Sequence, residues 1–391
     1  MICKFCDIQK TKELINFGSF PVCHKFSKGD KKIKTFKLGL SYCDYCNLFQ
    51  ISKPFPLNEL KPIHNWINYN EPEEHLDNLV NTISKLKYIN KKSIISGISY
   101  KEISTIRRFS KKGYDKNWIL NPCKDLRIKD KKHNLETIQK RISSIKNIKK
   151  LKKTDVLIVR HILEHCYDIK KFINNLKKMV KKNGYIVFEV PDCEQSLLRR
   201  DYVMMWEEHI FYFTKKSFLN LLDKAGFKIE YFERYKYSYE SILIAIVSIK
   251  NSSEKHSIDL SKPKVFFNNK NLVKDRLAIK KKIKKYKEKN YNICMFGTGH
   301  SALTFINILK LEKQIDMIID DDKNKINMNL PGSSLKIKNS KILQNMNKIL
   351  IFLGVNFESE KKIVKKIDKL NLKVKYFSVY KNSKYNLLKY A

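Results

Sequence analysis

One stretch of 38 residues, DVLIVRHILEHCYDIKKFINNLKKMVKKNGYIVFEVPD at 155–192, constrains the fold of this chain more than any other. Its first residues, 155–159, form a short apolar run that favours a buried strand. Apolar residues between Phe172 and Val180 then recur at helical spacing, and the turn KKNG leads into a second strand at 185–190. A strand, a crossing helix and another strand are typical of a parallel α/β sheet.

Flanking segments extend this pattern in both directions. A helix is predicted over 72–88, followed by short strands at 93–99 and in NWILNP, which ends at Pro122. After the central stretch, a helix ends at Gly226, and two further apolar strands, FKIEYFER and SILIAIVS, close the region. The sequence therefore predicts an α/β fold with a doubly wound, Rossmann-like parallel sheet and an antiparallel finish.

The C-terminal third has a similar but smaller pattern. A polar, aperiodic segment predicts a linker, and NICMFGTGHSALTFINIL then reads as strand, glycine turn and helix. Two more buried strands, IDMIIDDD and KILIFLGV, indicate a second, smaller Rossmann-like unit. The predicted organisation is an N-terminal module at 1–70, a doubly wound domain at 71–250, a linker at 251–265 and a C-terminal domain at 266–391.

Two Cys-x-x-Cys pairs, CKFC from Cys3 and CDYC from Cys43, begin the chain with 36 residues between them. Each pair presents two thiolates to one ion, so Cys3, Cys6, Cys43 and Cys46 predict a structural four-sulfur zinc site. Such a site staples a small module that lacks core material of its own. Cys23 or His24, which lie between the pairs, are alternative ligands. Most of the remaining cysteines are predicted to be small buried thiols.

Composition limits the binding partners and the cellular compartment that the sequence predicts. The net charge of +41 suggests nucleic-acid binding, but 71 of the 80 basic residues are Lys and they are spread along the whole chain. Phosphate recognition favours Arg, so the sequence argues against a dedicated nucleic-acid surface. No apolar run approaches the roughly 18 residues of a membrane span, and no signal segment opens the chain. The prediction is a cytoplasmic protein without a membrane partner.

The order of motifs along the chain resembles a known family. A four-Cys module, the central stretch, EEHIFYF at 207–213 and a C-terminal FGTGHSA…IIDDDKNK…LPG are similar to the sugar C-methyltransferases, which are class I S-adenosylmethionine-dependent methyltransferases. Members of that family methylate the carbon beside the keto group of nucleotide-linked deoxysugars. The resemblance implies the same cofactor and a nucleotide-linked sugar substrate for this chain.

The resemblance also implies catalytic residues. The family carries HEH followed by YF, and this chain has Glu207, Glu208 and His209 in that place. His209 would remove the proton next to the ketone, since imidazole titrates in the required range. Glu208 would orient that imidazole or hold the sugar, and His165 would face the same pocket. A family Tyr is replaced here by Trp206.

Further residues complete the predicted site. Tyr69 is the candidate for a substrate-facing aromatic side chain, with Trp66 as the alternative. At the cofactor position the family has a glycine-rich turn, whereas this chain has Gly97 followed by Tyr100 and Lys101. The acidic residue expected to bind the ribose is replaced by Asn121. The predicted cofactor-binding residues are Gly97, Asn121, Arg160 and His161.

These departures leave three hypotheses. The chain is a C-methyltransferase with a divergent cofactor pocket, a relative that kept the scaffold without using a methyl donor, or a protein that acts on or binds nucleic acid. The C-terminal turn at 297–302 is a second phosphate-binding candidate, with Asp320 and Asp321 placed for a ribose. The alternative for that segment is a strand-to-helix turn without a ligand.

Overall fold

The computed structural model of this chain describes residues 2–7, 11–29, 33–64, 66, 71–130, 133–146, 151–238, 240–250, 261 and 265–386. The predicted linker falls almost wholly outside these residues. Across the described residues, none of the helices combines the length and the apolar character needed to cross a membrane.

The strands are β1 (Lys12–Pro21), β2 (Thr35–Tyr42), β3 (Phe49–Ile51), β4 (Ile95–Gly97), β5 (Asn117–Ile119), β6 (Thr154–Arg160), β7 (Val180–Asp192), β8 (Phe211–Tyr212), β9 (Phe227–Tyr235), β10 (Ser241–Ile249), β11 (Asn292–Phe296), β12 (Met317–Ile319), β13 (Ile337–Lys338), β14 (Lys348–Leu353) and β15 (Lys373–Ser378). The helices are α1 (Leu76–Ser84), α2 (Ile103–Lys111), α3 (Leu135–Ser144), α4 (Ile169–Met179), α5 (Glu194–Arg199), α6 (Lys215–Lys224), α7 (Asn269–Lys287), α8 (His300–Leu309) and α9 (Phe357–Asp368). Side-chain caps start several helices, as Asn134 does for α3 and Asp168 for α4.

The central sheet has the order β5-β4-β6-β7-β10-β9. Its first four strands are parallel, β10 pairs antiparallel with β7, and the edge strand β9 pairs antiparallel with β10. The α/β class and the antiparallel finish are therefore confirmed. From β4 the chain moves to β5 on one side, whereas β6 lies on the other side. The crevice between the carboxyl ends of β4 and β6 is thus the switch point at which such sheets bind ligands.

The N-terminal module is more regular than expected. The strands β1, β2 and β3 form an antiparallel meander, and β8 adds to its edge as a fourth strand. Because β8 follows the central parallel strands in the chain, this pairing ties the module to the middle domain. The predicted boundaries did not include this crossing.

The C-terminal domain is a five-stranded parallel sheet with the order β13-β12-β11-β14-β15. The turn after β11 leads into α8, which is apolar and almost fully buried. The basic helix α7 buries Leu272, Ile279 and Ile283. The second, smaller Rossmann-like unit is therefore present.

Candidate active site

The four predicted zinc ligands come together at the start of the N-terminal module. The Sγ atoms of Cys3 and Cys46 are 3.5 Å apart, and those of Cys6 and Cys43 are 3.6 Å apart. All four sulfurs lie within 4.8 Å of one another. A tetrahedral zinc ion with Zn–S bonds of about 2.3 Å requires sulfurs about 3.8 Å apart, so this set fits such an ion. Cys23 and His24 lie elsewhere, against Glu207 and Glu208.

The four-cysteine set, called the knuckle below, lies at one end of the sheet formed by β2, β3 and β8. This sheet holds the segment 206–210 in place. Cys43 and Cys46 lie between β2 and β3, and Phe49 of β3 pairs with Tyr212 of β8. The backbone amide of Ile51 also donates to the carbonyl of Ile210, at 2.9 Å. The predicted catalytic segment therefore leads directly into β8, a strand that belongs to the sheet of the N-terminal module.

Residues of the N-terminal module also clamp this segment from the side. The amide of Cys23 donates to Oε1 of Glu207 at 2.6 Å. Nδ1 of His24 lies 3.4 Å from Oε1 of Glu208. Burial disfavours the carboxylate form of Glu208, but the hydrogen bond and charge of His24 outweigh it and lower the pKa of Glu208. Glu208 is thus held as a carboxylate.

The C-terminal domain supports the same segment through His300 at the start of α8. The ring of His300 stacks on Trp206 with a centroid distance of 3.6 Å and an angle of 6°. Nε2 of His300 lies 3.0 Å from the carbonyl oxygen of Met205. Trp206 in turn stacks on His209, at 5.7 Å and 16°. Three domains therefore contribute to the position of His209.

Two imidazoles face each other at the centre of the site. The rings of His165 and His209 meet edge to face with centroids 4.7 Å apart. A backbone hydrogen bond of 2.7 Å from Ile210 to Glu164 aligns the two segments. Nδ1 of His165 lies 2.7 Å from Oε1 of Glu136, which is on α3. His165 is buried, whereas His209 is only partly so.

Their surroundings shift the pKa values of the two imidazoles in opposite directions. Burial disfavours the charged form of His165, but Glu136 and the nearby Glu164 and Glu208 outweigh it and raise the pKa of His165. Burial and the positive charge of His165 lower the pKa of His209 well below its usual range. The surroundings therefore favour the protonated form of His165 and the neutral form of His209. Such divergent pairs identify an acid and a base.

Glu164 adds unused acceptors to this pair. Its side chain is 1% exposed, and neither of its carboxylate oxygens has a hydrogen-bond partner among the described residues. Glu164, His165 and His209 each place one polar side-chain atom within 4.8 Å of the other two. Oε1 lies 3.6 Å from Nδ1 of His161, so Glu164 forms a charge pair with His161 and keeps hydrogen-bonding capacity for a polar ligand.

A second buried network lies at the carboxyl ends of β6 and β7. The guanidinium of Arg160 binds both oxygens of Glu189, at 2.8 and 2.9 Å. His161 and His75 donate to the same carboxylate at 2.9 and 3.1 Å. Burial alone would neutralise His161, but Glu164 and Glu189 raise its pKa to about 10. His161 also has a φ of 47°, a left-handed conformation that is uncommon for residues other than Gly.

The predicted cofactor turn is closed by its own residues. A Cβ on Gly97 would lie 2.5 Å from the Cβ of Glu102, so this glycine makes room for Glu102. The fully buried Glu102 accepts hydrogen bonds from the amide and hydroxyl of Ser99 and from the amide of Arg160. It therefore fills the crevice between β4 and β6. The hydroxyl of Ser99 in turn accepts from the amide of Lys101.

The remaining predicted site residues have other surroundings. Oδ1 of Asn121 accepts from the amides of Cys123 and Lys124 at 3.0 and 2.9 Å, so this oxygen caps its own turn. The side chain of Lys101 pairs with Glu71. Tyr69 lies outside the described residues, and Trp66 packs on His64 and Phe26 in the N-terminal module.

The C-terminal glycine turn is also occupied internally. Oδ2 of Asp320 accepts from the amide and hydroxyl of Thr298, and Asp321 binds Lys366. A Cβ on Gly297 would lie 2.8 Å from the carbonyl oxygen of Gly354. These contacts favour a close-packed strand-to-helix turn rather than a phosphate site.

Comparison with known families matches both large domains. Residues 94–231 match the model of a methyltransferase domain, and residues 247–375 match that of a C-methyltransferase C-terminal domain. By its domains the chain is a C-methyltransferase-type enzyme. Its class is that of the S-adenosylmethionine-dependent methyltransferases. A search of curated proteins returned no match.

Solved structures resemble parts of this methyltransferase at low identity. The 1,6-didemethyltoxoflavin-N1-methyltransferase of Burkholderia thailandensis, with S-adenosylhomocysteine bound, is 8% identical over 45% of this chain and 77% of its own, with a TM-score of 0.31. A methyltransferase from Methanosarcina mazei is 12% identical over 42% of this chain and 96% of its own, with a TM-score of 0.26. Scores this low carry no argument about activity.

The cofactor of this enzyme class does not fit the residues at its expected position. A glycine-rich turn normally offers free backbone amides and close approach to the ligand. Here the amides of Ser99 and Lys101 are already bound within the turn, and the side chain of Glu102 occupies the crevice. Asn121 uses its amide oxygen locally. The chain's own groups thus take the positions that the methyltransferase cofactor would require.

Sequence reasoning missed several residues of the site. Glu136 lies on α3, a helix that was not predicted, and its carboxylate sets the acidity of His165. Glu189 is part of the motif FEVPD in the central stretch, where a charged residue in an apolar strand could have marked it. His24 carries no local signal beyond its position after Cys23.

Proposed function

We propose that this C-methyltransferase-type enzyme removes the proton from the carbon beside the ketone of a nucleotide-linked keto-deoxysugar. This is the step that prepares such a carbon for C-methylation. The single observation that carries the proposal is the pair His165 and His209, whose rings touch while their pKa values are shifted in opposite directions.

In the proposed step, neutral His209 accepts the proton from the carbon. The electrons of the broken C–H bond form a carbon–carbon double bond, and the carbonyl oxygen takes a proton from protonated His165. The pair thus begins and ends with one proton, and the product is the enol. Glu136 stabilises protonated His165 before the transfer, and two-sided proton transfer avoids a free enolate.

Polar acceptors around the pair suit a sugar. The carboxylate of Glu164, whose Oε1 lies 3.6 Å from Nδ1 of His161, keeps hydrogen-bonding capacity and can accept hydrogen bonds from sugar hydroxyls. Glu208, held as a carboxylate by His24, offers further acceptors beside His209. The sugar class itself rests on the family resemblance, and the matching C-terminal domain supports C-methylation in general.

We also propose that zinc occupies the four-cysteine set and acts structurally. Four thiolates complete a tetrahedral coordination sphere and leave no position for a substrate. The role of the ion is then to hold β2 and β3, and through β8 the segment that carries His209.

The experiment that tests the acid–base assignment is exchange of the substrate α-proton in D₂O, followed by NMR on a nucleotide-linked keto-deoxysugar. His209→Gln and His165→Gln should each slow exchange by about 10²–10⁴-fold, the usual contribution of a positioned acid or base. His64→Gln is the matched control, since Nε2 of His64 lies beside the carbonyl oxygen of Phe26 in the N-terminal module. Exchange that persists at the wild-type rate in His209→Gln would remove that residue as the base.

A further inference from the structure

The switch-point crevice of the central sheet is filled by a buried charge network that the proposed proton transfer does not use. Glu102 from the turn after β4 and Arg160 at the end of β6 meet there, since the amide of Arg160 donates to Oε1 of Glu102 at 2.8 Å. Glu102 is fully buried and Arg160 is 2% exposed. Because both side chains are inside the fold, neither can move aside without loss of buried contacts.

The network extends from the crevice to β7 on one side and to the residues before α1 on the other. On the first side, Glu189 holds Arg160 through two hydrogen bonds and is also bound by His161 and His75. On the other side, Lys101 pairs with Glu71, which precedes α1. Removing one partner from a buried ion pair leaves an uncompensated buried charge, so the Arg160–Glu189 pair opposes any ligand that would displace one of its members.

The turn and the neighbouring strand end also lack the free groups that a nucleoside needs. Ser99 and Glu102 cap each other, and this arrangement binds the amides of Ser99, Lys101 and Glu102 within the turn. At the end of β5, the amide of Asn121 donates to Asp125 and its side-chain oxygen caps the following turn. Two independent parts of the cofactor position are therefore satisfied within the chain.

We infer that this chain keeps the proton-transfer half of a C-methyltransferase and works without the methyl donor. The enol formed between His165 and His209 then has one fate within this site, which is to regain a proton at carbon. His209 returns a proton to the carbon, and His165 takes back the proton from the enol oxygen. Since protonated His209 can trade its proton with water before the return, the reaction is exchange of the α-hydrogen with solvent on one face of the carbon, and it consumes no co-reactant.

This inference rests on the proposed enolisation, so its test separates the two. The full-length protein is titrated calorimetrically with S-adenosylmethionine and with S-adenosylhomocysteine. In parallel, α-proton exchange of a nucleotide-linked keto-deoxysugar is followed in D₂O with and without S-adenosylmethionine, and products are analysed by mass spectrometry. His209→Gln is included in both measurements.

The expected result is exchange without the methyl donor, an unchanged rate when it is added, no methylated product and no binding heat. The inference would be overturned by micromolar binding of S-adenosylmethionine or S-adenosylhomocysteine, or by a product that carries one additional methyl group. Neither result would contradict the acid–base pair. Exchange that starts only after S-adenosylmethionine is added would overturn the inference as well. Absence of exchange under every condition would instead refute the proposed enolisation, and with it this inference.

Discussion

The side chains His165 and His209 show how two identical groups acquire opposite roles. Both are imidazoles within a few ångströms of each other, and both lose hydration on burial. His165 alone has a carboxylate, that of Glu136, in direct contact at 2.7 Å. Since two adjacent imidazolium ions repel, protonation of His165 keeps His209 neutral. The assignment of acid and base therefore depends on Glu136, a residue that need not touch the substrate.

This dependence predicts a change in pH profile for Glu136→Gln. Activity requires protonated His165, whose pKa is raised in the folded protein, so activity is lost as the pH rises through that value. Removing the carboxylate charge lowers the pKa of His165, and the alkaline limb of kcat/KM should move to lower pH by about one unit or more. The measurement is the pH dependence of α-proton exchange.

The acid limb provides an internal check. It reports loss of activity as the pH falls through the lowered pKa of His209, and it should not move to higher pH in Glu136→Gln. Glu59→Gln, in the N-terminal module, removes a carboxylate that pairs with Lys25 and Lys34 and should leave both limbs in place. An alkaline limb that stays at the wild-type position in Glu136→Gln would contradict the role of Glu136.

Among the secondary-structure elements, the two-residue strand β8 has the largest consequence. It belongs to the middle of the chain, yet it pairs with β3 of the N-terminal module through Phe49 and Tyr212. The residues just before it, 206–210, form the turn that presents His209. A metal site in the module is therefore mechanically connected to the acid–base pair through one strand pairing, and loss of the metal should be felt at that pair.

Replacement of one knuckle cysteine tests this connection. Cys43→Ser should lose about one equivalent of zinc, because a hydroxyl is a poor substitute for a thiolate ligand. Exchange of the α-proton should fall by about 100-fold, the effect of an ångström-scale misplacement of a reacting group. Metal analysis and the exchange assay measure the two effects.

The exposed Cys123 offers a matched control, and Cys123→Ser should keep both the metal and the activity. Full zinc occupancy in Cys43→Ser would contradict the four-sulfur assignment. Loss of zinc with full activity would instead show that β8 holds its position without the knuckle.

The assembled chain builds its site where all three domains meet. Cys23 and His24 come from the N-terminal module, Trp206 and His209 from the middle domain, and His300 from the C-terminal domain. The C-terminal glycine turn, which resembles a nucleotide-binding motif, delivers His300 to the face of Trp206. We interpret its role as positional, since its polar groups are satisfied within the turn.

Loss of His300 should therefore disturb the position of His209 through Trp206, although His300 belongs to another domain. His300→Ala removes both the stack on Trp206 and the contact with the carbonyl of Met205. We expect tryptophan emission to shift to longer wavelength and α-proton exchange to fall by about 100-fold, with the far-ultraviolet circular dichroism unchanged.

A second histidine–tryptophan stack in the chain serves as control. His64 lies on Trp66 at 4.7 Å and 28° in the N-terminal module. His64→Ala should change the emission but not the exchange rate. Equal loss of exchange in both variants would show that general destabilisation, and not the position of Trp206, governs the effect.

Local patterns in the sequence were sufficient for the architecture. The apolar runs at 155–159 and 185–190 and the helical spacing between them predicted β6, α4 and β7, because burial of such periodic faces has few solutions. The spacing of the cysteine pairs predicted their convergence, since a Cys-x-x-Cys turn positions two sulfurs by itself. The departures at Gly97 and Asn121 were also visible in the sequence.

Interactions between distant segments decided the site. No local pattern reveals that Glu136 faces His165, that Glu102 fills the space left by Gly97, or that β8 pairs with β3. Acidity depends on the charges and the solvent that surround a group, and those are set by residues far away in the chain. The sequence by itself thus determined the folds and the convergence of the four cysteines, whereas the opposite pKa shifts of the two histidines and the groups that fill the cofactor crevice follow only from the tertiary structure.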